Sequence, residues 1–246
     1  MAGSEEIREV ARHVRDAHRL AVLTGAGLST PSGIPDFRSA GGFYADERNA
    51  GVFDIREFQR RPEHFYRFAR EFYPMLARAQ PNAAHRALAR WEGGALDIRI
   101  ATQNIDDLHQ RAGSSRVYPV HGTVEISTCV SCRTSCSTET LVPEVMAGRV
   151  PGCACGGIFK PDITFFGEML PEAAWERSVE AMQSADLVLV LGTSLAVYPA
   201  AALPGYRNRR AGLLIVNRDA TPLDEAADVV IHDDLAETLR AVDEAV

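Results

Sequence analysis

The sequence predicts an α/β protein built on a Rossmann-like, doubly wound parallel sheet that carries a small inserted module. Three observations lead there. Short unbroken apolar runs alternate with amphipathic helical segments along most of the chain. Glycines follow directly on the first of those runs, and all five cysteines fall within one stretch, residues 129 to 155, where the alternation breaks.

Taken in order, Ser4 is expected to cap a helix whose Ile7, Val10, Ala11 and Val14 follow the i, i+3, i+4, i+7 pattern. "LAVLT" (20–24) then reads as a buried strand, and "IRIAT" (98–102), "LVLVLG" (187–192), "LLIVN" (213–217) and "VVI" (229–231) have the same character. Unbroken rather than alternating apolarity means that both faces are covered, as in a parallel sheet. Helical segments lie between them: "PEHFYRFAREFYPMLARA", "NAAHRALARWE" and "PEAAWERSVEAMQSA", the last with Pro171 in its first turn. The division expected is a discontinuous main domain, 1–122 with 169–246, and a module at 123–168. Part of 40–75 is expected to be helical and packed with the module.

The totals limit the function. With 246 residues, 46% of them hydrophobic, the chain can bury one large core with a satellite. A net charge of −7 offers no footprint for nucleic acid or anionic membranes. The N-terminal segment is acidic and lacks an apolar stretch, and no later run reaches the length of a membrane span, so a soluble, cytoplasmic protein is expected. Lys160 is the only lysine.

"TGAGLSTPSGIPDFRS" (24–39) places Gly25 and Gly27 straight after a strand, where glycine permits a sharp turn and close approach of a pyrophosphate to main-chain N–H groups. Thr30 stands where a dinucleotide fingerprint has its third glycine, so a plain strand-to-helix turn is the competing reading. In the following loop Phe37 and Arg38 supply an aromatic face and a guanidinium suited to clamping a nucleotide.

"TQNIDDLHQRAG" (102–113) puts polar groups at the end of a core strand, where open α/β sheets bind ligands. Gln103, Asn104 and Asp106 are expected to point into that crevice, with Ile105 packing between them. Asp107 and His109 are assigned to the start of the next helix as capping or surface residues. His121, in "VYPVHGTVE", follows another short apolar run, and an imidazole titrating near neutrality suits a general base.

Cys129 and Cys132 form CxxC, and Cys153 and Cys155 form CxC, a pairing that matches a tetrahedral Zn(Cys)₄ site. Four thiolates complete the coordination, so the metal is structural. Cys136 is left as a free thiol or as a substitute ligand.

With "GAGLSTPSGIPDFRS", "TQNIDDLHQRAG", "VHG", the paired cysteines, "FFGE" (165–168), "GTSLAVYPAA" (192–201) and "IVN" (215–217), the sequence resembles the sirtuins, the NAD-dependent protein deacylases. The match runs in order along nearly the whole chain. It implies a Rossmann-like NAD-binding domain and a small zinc domain, with NAD and an acyl-lysine peptide meeting in the cleft between. The glycine turn (Gly25, Ala26, Gly27, Thr30), Phe37 and Arg38, Gln103 and Ile105, Gly192, Thr193 and Ser194, Asn217 and Leu235 fall where the family contacts NAD. Asn104 and Asp106 fall where the nicotinamide ribose and carboxamide are held, Asn104 also acting in catalysis, and His121 takes the place of the catalytic base. Ile163, Phe165, Phe166 and Gly167 on one side and Val197 on the other match the segments between which a substrate peptide adds as a strand.

The resemblance further implies that acetyl-lysine and NAD yield lysine, nicotinamide and O-acetyl-ADP-ribose, on protein or peptide substrates. A monomer is expected, although the sequence itself does not identify the oligomeric state. An NAD-dependent ADP-ribosyltransferase or a desuccinylase-type sirtuin are the alternatives. Members that prefer succinyl or malonyl groups carry Tyr-x-x-Arg before the "PNAAH" segment. Here Tyr66 is followed by Ala69, with Arg70 one place late, about 100° around a helix. Uncharged acyl groups are therefore expected. Cys153-x-Cys155 departs from the CxxC of many members.

Overall fold

The computed structural model describes residues 3–37, 39–94 and 96–246. In chain order its elements are α1 (Ser4–Asp16), β1 (Arg19–Thr24), α2 (Ile55–Arg60), α3 (Pro62–Arg78), α4 (Ala83–Glu92), β2 (Asp97–Thr102), α5 (Leu108–Ala112), β3 (Val117–Pro119), β4 (Gly122–Cys129), β5 (Ser135–Ser137), α6 (Val142–Met146), β6 (Phe159–Ile163), α7 (Glu172–Ser184), β7 (Leu187–Leu191), β8 (Gly212–Val216), β9 (Val229–Ile231) and α8 (Leu235–Ala245). Six strands make one sheet in the order β3-β2-β1-β7-β8-β9, every neighbouring pair parallel. The remaining three form a separate antiparallel sheet, β5-β4-β6.

Helices cover both faces of the large sheet. Val10 and Val14 of α1, Leu88 and Trp91 of α4, and Leu239 and Val242 of α8 pack with Val22, Ile100, Leu189 and Leu214. Ala181 and Met182 of α7 pack with Leu23, Val188, Val190 and Ile215 on the opposite face. Neighbouring residues of one strand thus enter different cores, which is why the strands read as unbroken apolar runs. Each buried Val or Leu contributes about 1.5–3 kcal/mol.

A third core is aromatic. Phe53, Phe58, Phe65, Phe68 and Phe72 meet Val124 of β4, Val145 of α6, and Ile163 and Phe165 on and beside β6. Edge-to-face contacts such as Phe58–Phe165 at 5.6 Å and Phe43–Phe72 at 5.4 Å set its geometry. It joins α2 and α3 to the small sheet, and the Tyr66 hydroxyl donates to the Phe159 carbonyl at 2.7 Å.

Two expectations about helix starts are corrected. Ser4 is the first residue of α1, and Gly3 precedes it as the cap, its N–H donating to Glu6 at 2.9 Å; the longer Glu6 side chain reaches back where a serine one place earlier would have served. Pro171 is the cap of α7, not part of its first turn.

Candidate active site

The register of the large sheet sets its carboxyl ends in one row. Thr24 pairs with both Thr102 and Leu191, Leu191 with Val216, Val216 with Ile231, and Thr102 with Pro119. The residues immediately beyond, Gly25, Gln103, Gly192 and Asn217, together with His121 two places past β3, all line one cavity of about 640 Å³.

Glycine at 25, 27 and 192 is dictated by how closely two of these loops pass. A Cβ on Gly25 would lie 2.7 Å from the Gly192 carbonyl, one on Gly27 2.9 Å from it, and one on Gly192, at φ +61°, 2.4 Å from the Leu28 nitrogen. The Gly25 and Gly27 N–H groups donate to Leu191 and Gly192 at 3.0 and 2.9 Å. Those two N–H groups are therefore engaged by the β7 loop, and the glycines act by permitting close approach, not as open donors. Ala26 and Thr30 line the cavity beside them, as do Thr193 and Ser194.

The polar strand end divides between two spaces. The Gln103 side chain donates to Thr193 Oγ1 at 3.0 Å, tying β2 to the β7 loop at the cavity wall. Asn104 Nδ2 donates to the Gly25 carbonyl at 3.0 Å and to Ser29 Oγ at 3.1 Å. A carbonyl only accepts, so this orients the amide and leaves Asn104 Oδ1 as the acceptor available to a ligand. Ser29 donates in turn to Asp106 at 2.8 Å. Asp106 lines an adjoining smaller recess with Ser29, Ile34, Phe37, Asn104 and Ile105, and burial pushes its carboxyl pKa up, against the Ser29 hydroxyl, which lowers it. Ile105 borders both spaces.

His109 is neither capping nor on the surface. It is buried beneath the row, Nε2 lying 3.1 Å from Thr24 Oγ1, with its ring 4.9 Å from that of His85. The short α5 turns it inward, an orientation that helical spacing over five residues does not reveal. Asp107 stands at the N-cap of α5 but makes no side-chain capping bond.

His121 borders the cavity, and its Nδ1 lies 3.0 Å from the Gln103 carbonyl. Since the carbonyl accepts, Nδ1 carries the proton and Nε2 is the basic atom. Burial lowers the imidazole pKa from 6.5, partly opposed by that hydrogen bond, so the ring is neutral at neutral pH. Gly122 follows at φ +77°; a Cβ there would lie 1.9 Å from the Asp162 carbonyl, so only glycine lets β4 leave His121 against β6.

One wall of the cavity is the segment after β6. Ile163, Phe165, Phe166 and Gly167 all line it, as do Val197 and Tyr198. Thr164 N–H donates to the His121 carbonyl at 2.9 Å, and Phe166 joins residues 53–55 through two main-chain bonds, from its N–H to Phe53 and from Ile55 to its carbonyl. Asn217 and Leu235 line the cavity as well. Phe37 lines it from the edge of the aromatic core, 5.6 Å from both Phe43 and Phe53. Arg38 lies outside the described residues.

Several lining residues were not anticipated. Arg218 and Asp219 follow β8, and Asp233 and Asp234 follow β9, by two and three places in each case, so the strand-end rule would have found them. Phe53 in the cavity and Ser29 in the adjoining recess arrive by tertiary packing alone.

Sγ atoms of Cys129, Cys132, Cys153 and Cys155 all lie within 4.8 Å of one another, Cys129 to Cys155 at 3.5 Å and Cys132 to Cys153 at 3.6 Å. A tetrahedron of Zn–S bonds of about 2.3 Å has edges of about 3.8 Å, so the donor set fits zinc. Cys136 is not in this group; it packs on Cys129, Leu141 and Phe159 as a small apolar residue. A Cβ on Gly157 would meet Cys129 Sγ at 2.9 Å, which keeps that position open.

Comparison with known proteins gives a consistent answer. The Sir2 family model matches residues 25–199. An NAD-dependent protein deacetylase from Thermotoga maritima is 44% identical over 240 residues, covering 96% of this chain and 97% of that protein. An NAD-dependent protein deacylase Sir2 from Mycolicibacterium smegmatis is 42% identical, covering 90% and 93%. A solved Sir2 complex with a p53 peptide and NAD+ superposes with a TM-score of 0.89 at 44% identity over 97% of both chains. With the family model matching 175 of 246 residues and a solved relative agreeing from end to end, the chain belongs to the Sir2 family.

Proposed function

We propose that the protein is an NAD-dependent protein lysine deacetylase, converting acetyl-lysine, NAD and one water to lysine, nicotinamide and O-acetyl-ADP-ribose. The observation that carries this is the placement of a neutral, oriented His121 and the Asn104 amide in one cavity. It stands in a chain 44% identical to an NAD-dependent protein deacetylase. Solved Sir2 relatives carry an acetylated peptide or 3′-O-acetyl-ADP-ribose.

NAD is the co-substrate and supplies an electrophilic ribose carbon with nicotinamide as the leaving group. The glycine turn at 25–27, Gly192 and its neighbours Thr193 and Ser194 are assigned to its phosphates and ribose, and Asn217 and Leu235 to its adenosine end. Asn104 and Asp106 hold the nicotinamide riboside, Asn104 through its Oδ1. His121 Nε2 takes a ribose hydroxyl proton, its Nδ1 held on Gln103. Burial of the site strengthens these polar contacts by excluding water. The acyl-lysine peptide enters as a strand between 163–167 and the Val197 segment, pairing through main chain. Zinc is held by Cys129, Cys132, Cys153 and Cys155; with four thiolates it has no open position and stabilises the small sheet.

We divide the chain into a NAD-binding domain, 1–122 with 169–246, and a zinc module, 123–168, joined through the aromatic core of α2 and α3. The small sheet and the cysteines support that division. A monomer in the cytoplasm is the reading we adopt: the thiols are unbridged, as suits a reducing compartment. Among the described residues no helix is long and apolar enough to cross a membrane.

Mass spectrometry of an acetyl-lysine peptide incubated with and without NAD tests this reading. NAD-dependent loss of the acetyl group, with nicotinamide released, is expected. Transfer of adenine-labelled ADP-ribose to protein without deacetylation would overturn it in favour of a transferase.

A further inference from the structure

Lys160 Nζ stands at the base of the loop that forms one wall of the cavity. It donates to the Ile163 carbonyl at 2.7 Å and the Pro161 carbonyl at 3.2 Å, and pairs with Glu168 Oε2 at 2.8 Å. It also sits 4.1 Å from the centre of the Phe165 ring. Glu168 Oε2 accepts the Phe165 N–H at 2.8 Å as well, and the Glu168 N–H donates to the Phe165 carbonyl at 3.0 Å. Residues 165–168 are thereby folded into a closed turn, and the ammonium ties that turn to the end of β6.

The side chain is 10% exposed and does not line the cavity, although Ile163, Phe165, Phe166, Gly167 and Glu168 do. A buried ammonium is costly unless it is paired and its donors are satisfied. Here three donors meet three acceptors. An ammonium places its three hydrogens tetrahedrally, whereas the planar fork of a guanidinium does not converge on three oxygens around one point. Every other strongly basic side chain in the sequence is arginine, and the single lysine occupies the position whose geometry requires one.

From this we propose that Lys160, acting through Glu168, Ile163 and Phe165, is a positioning residue for the acyl-lysine peptide: by tying the closed 165–168 turn to the end of β6 it fixes the main-chain groups of 163–168 that the peptide adds to. The inference rests on the deacetylase reading above. Peptide recognition through main chain depends on the carbonyls and N–H groups of the receiving segment staying in register. Freeing the turn therefore weakens the peptide site, while NAD, held by loops of the large sheet, is unaffected.

The test uses the full-length zinc-loaded enzyme with Lys160→Met, Lys160→Arg, Glu168→Gln and the double variant Lys160→Met/Glu168→Gln. Methionine keeps the length and lets the Glu168 carboxylate, whose side chain is 29% exposed, turn to water. Lys160→Met is expected to raise the KM for acetyl-peptide about tenfold while the KM for NAD stays within about twofold. Lys160→Arg should shift the peptide KM in the same direction despite its charge, and the double variant should be no worse than Lys160→Met. Hydrogen exchange of the 163–168 amides should be about tenfold faster in Lys160→Met, with β1 and β7 unchanged. An unchanged peptide KM, a parallel rise in both KM values, wild-type behaviour of Lys160→Arg, or unchanged exchange at 163–168 would overturn the proposal. If Lys160→Met does not fold, Glu168→Gln carries the same readouts with a rise of about threefold. A wild-type enzyme inactive on acetyl-peptide would refute the deacetylase reading alone, because the exchange comparison still judges the latch.

Discussion

The Nδ1 of His121 is bound to the main-chain carbonyl of Gln103 at 3.0 Å, so one residue lining the cavity fixes the tautomer of another. The basic atom is then Nε2, and burial keeps the ring neutral by lowering its pKa from 6.5. His121→Ala should bind NAD within about twofold of wild type and lose deacetylation by about 10²- to 10⁴-fold. The proton acceptor is the neutral form, so activity is complete above the lowered pKa and is lost as pH falls through it. The acid limb of kcat/KM should have its midpoint below 6.5, and a midpoint at or above that value would remove His121 from the role of base.

How legible was this site in the chain? Strand ends carry a strong local signal, because a buried apolar run followed by Gly, Gln-Asn or His must present those groups at the sheet edge. That is why Gly25, Gln103, Asn104 and His121 are legible locally, whereas Gly192 and Asn217 come as site residues from the family resemblance; all six line one cavity. Side-chain direction inside short elements is set by distant contacts instead. His109 was placed on the surface and lies buried against Thr24, and Asp106 belongs to the smaller recess beside the main cavity. Ser29 carries no local mark at all, since its importance lies in contacts with residues more than seventy positions away.

Ser29 is the hub between Asn104 and Asp106, accepting from one at 3.1 Å and donating to the other at 2.8 Å. Ser29→Ala removes both bonds and leaves the buried Asp106 carboxyl with the Leu108 N–H at 3.2 Å in place of two donors. The KM for NAD should rise about tenfold, with the peptide KM nearly constant. Asp106→Asn should have a similar effect, and the double variant should fall short of the sum, since both substitutions break one chain of bonds. Additive effects measured by initial-rate kinetics would show that the chain does not act as a unit.

The four clustered thiols predict one zinc per chain. Alanine at Cys129, Cys132, Cys153 or Cys155 should abolish stoichiometric zinc and lower Tm, because a structural site contributes directly to folding. Cys136→Ala should keep the metal, as that side chain packs in the small core outside the cluster. Zinc content by atomic absorption decides, and full retention by Cys129→Ala would refute the ligand assignment.

Tyr66 and Arg70 bear on acyl preference. The Tyr66 hydroxyl is committed to the Phe159 carbonyl at 2.7 Å inside the aromatic core, and Arg70 is exposed, its guanidinium beside Gly148. Neither lines the cavity, so a succinyl carboxylate gains no partner from them. Acetyl-peptide should exceed succinyl-peptide in kcat/KM by about tenfold or more, the scale of one unpaired charge-assisted bond. A succinyl preference in the same assay would overturn the assignment.

His85 and His109 make acid stability the last expectation. Thr24 Oγ1 donates to Thr102 at 2.8 Å, so it accepts from His109 Nε2, and His109 Nδ1 is bare. Asn82 N–H donates to His85 Nδ1 at 3.4 Å, so His85 carries its proton on Nε2. The two remaining ring nitrogens, His85 Nε2 and His109 Nδ1, are buried without a partner, one a donor and the other an acceptor. Both rings are thus held neutral. Burial lowers the His85 pKa from 6.5 to about 4 and that of His109 well below 6.5. In the unfolded chain both titrate near their ordinary value, so the unfolded state binds more protons below it. Stability is then complete above pH 6.5 and falls as pH drops, by about 1.4 kcal/mol per pH unit for each histidine. For His85 the loss amounts to about 3 kcal/mol by the time pH reaches its folded value. Urea unfolding between pH 7.5 and 5 measures this, with His85→Leu as the control. Acid release of zinc acts on both proteins alike, so the variant, though less stable throughout, should show a slope shallower by one proton. Equal slopes would mean that His85 already carries a proton in the folded protein, which would undo the tautomer assignment for the pair.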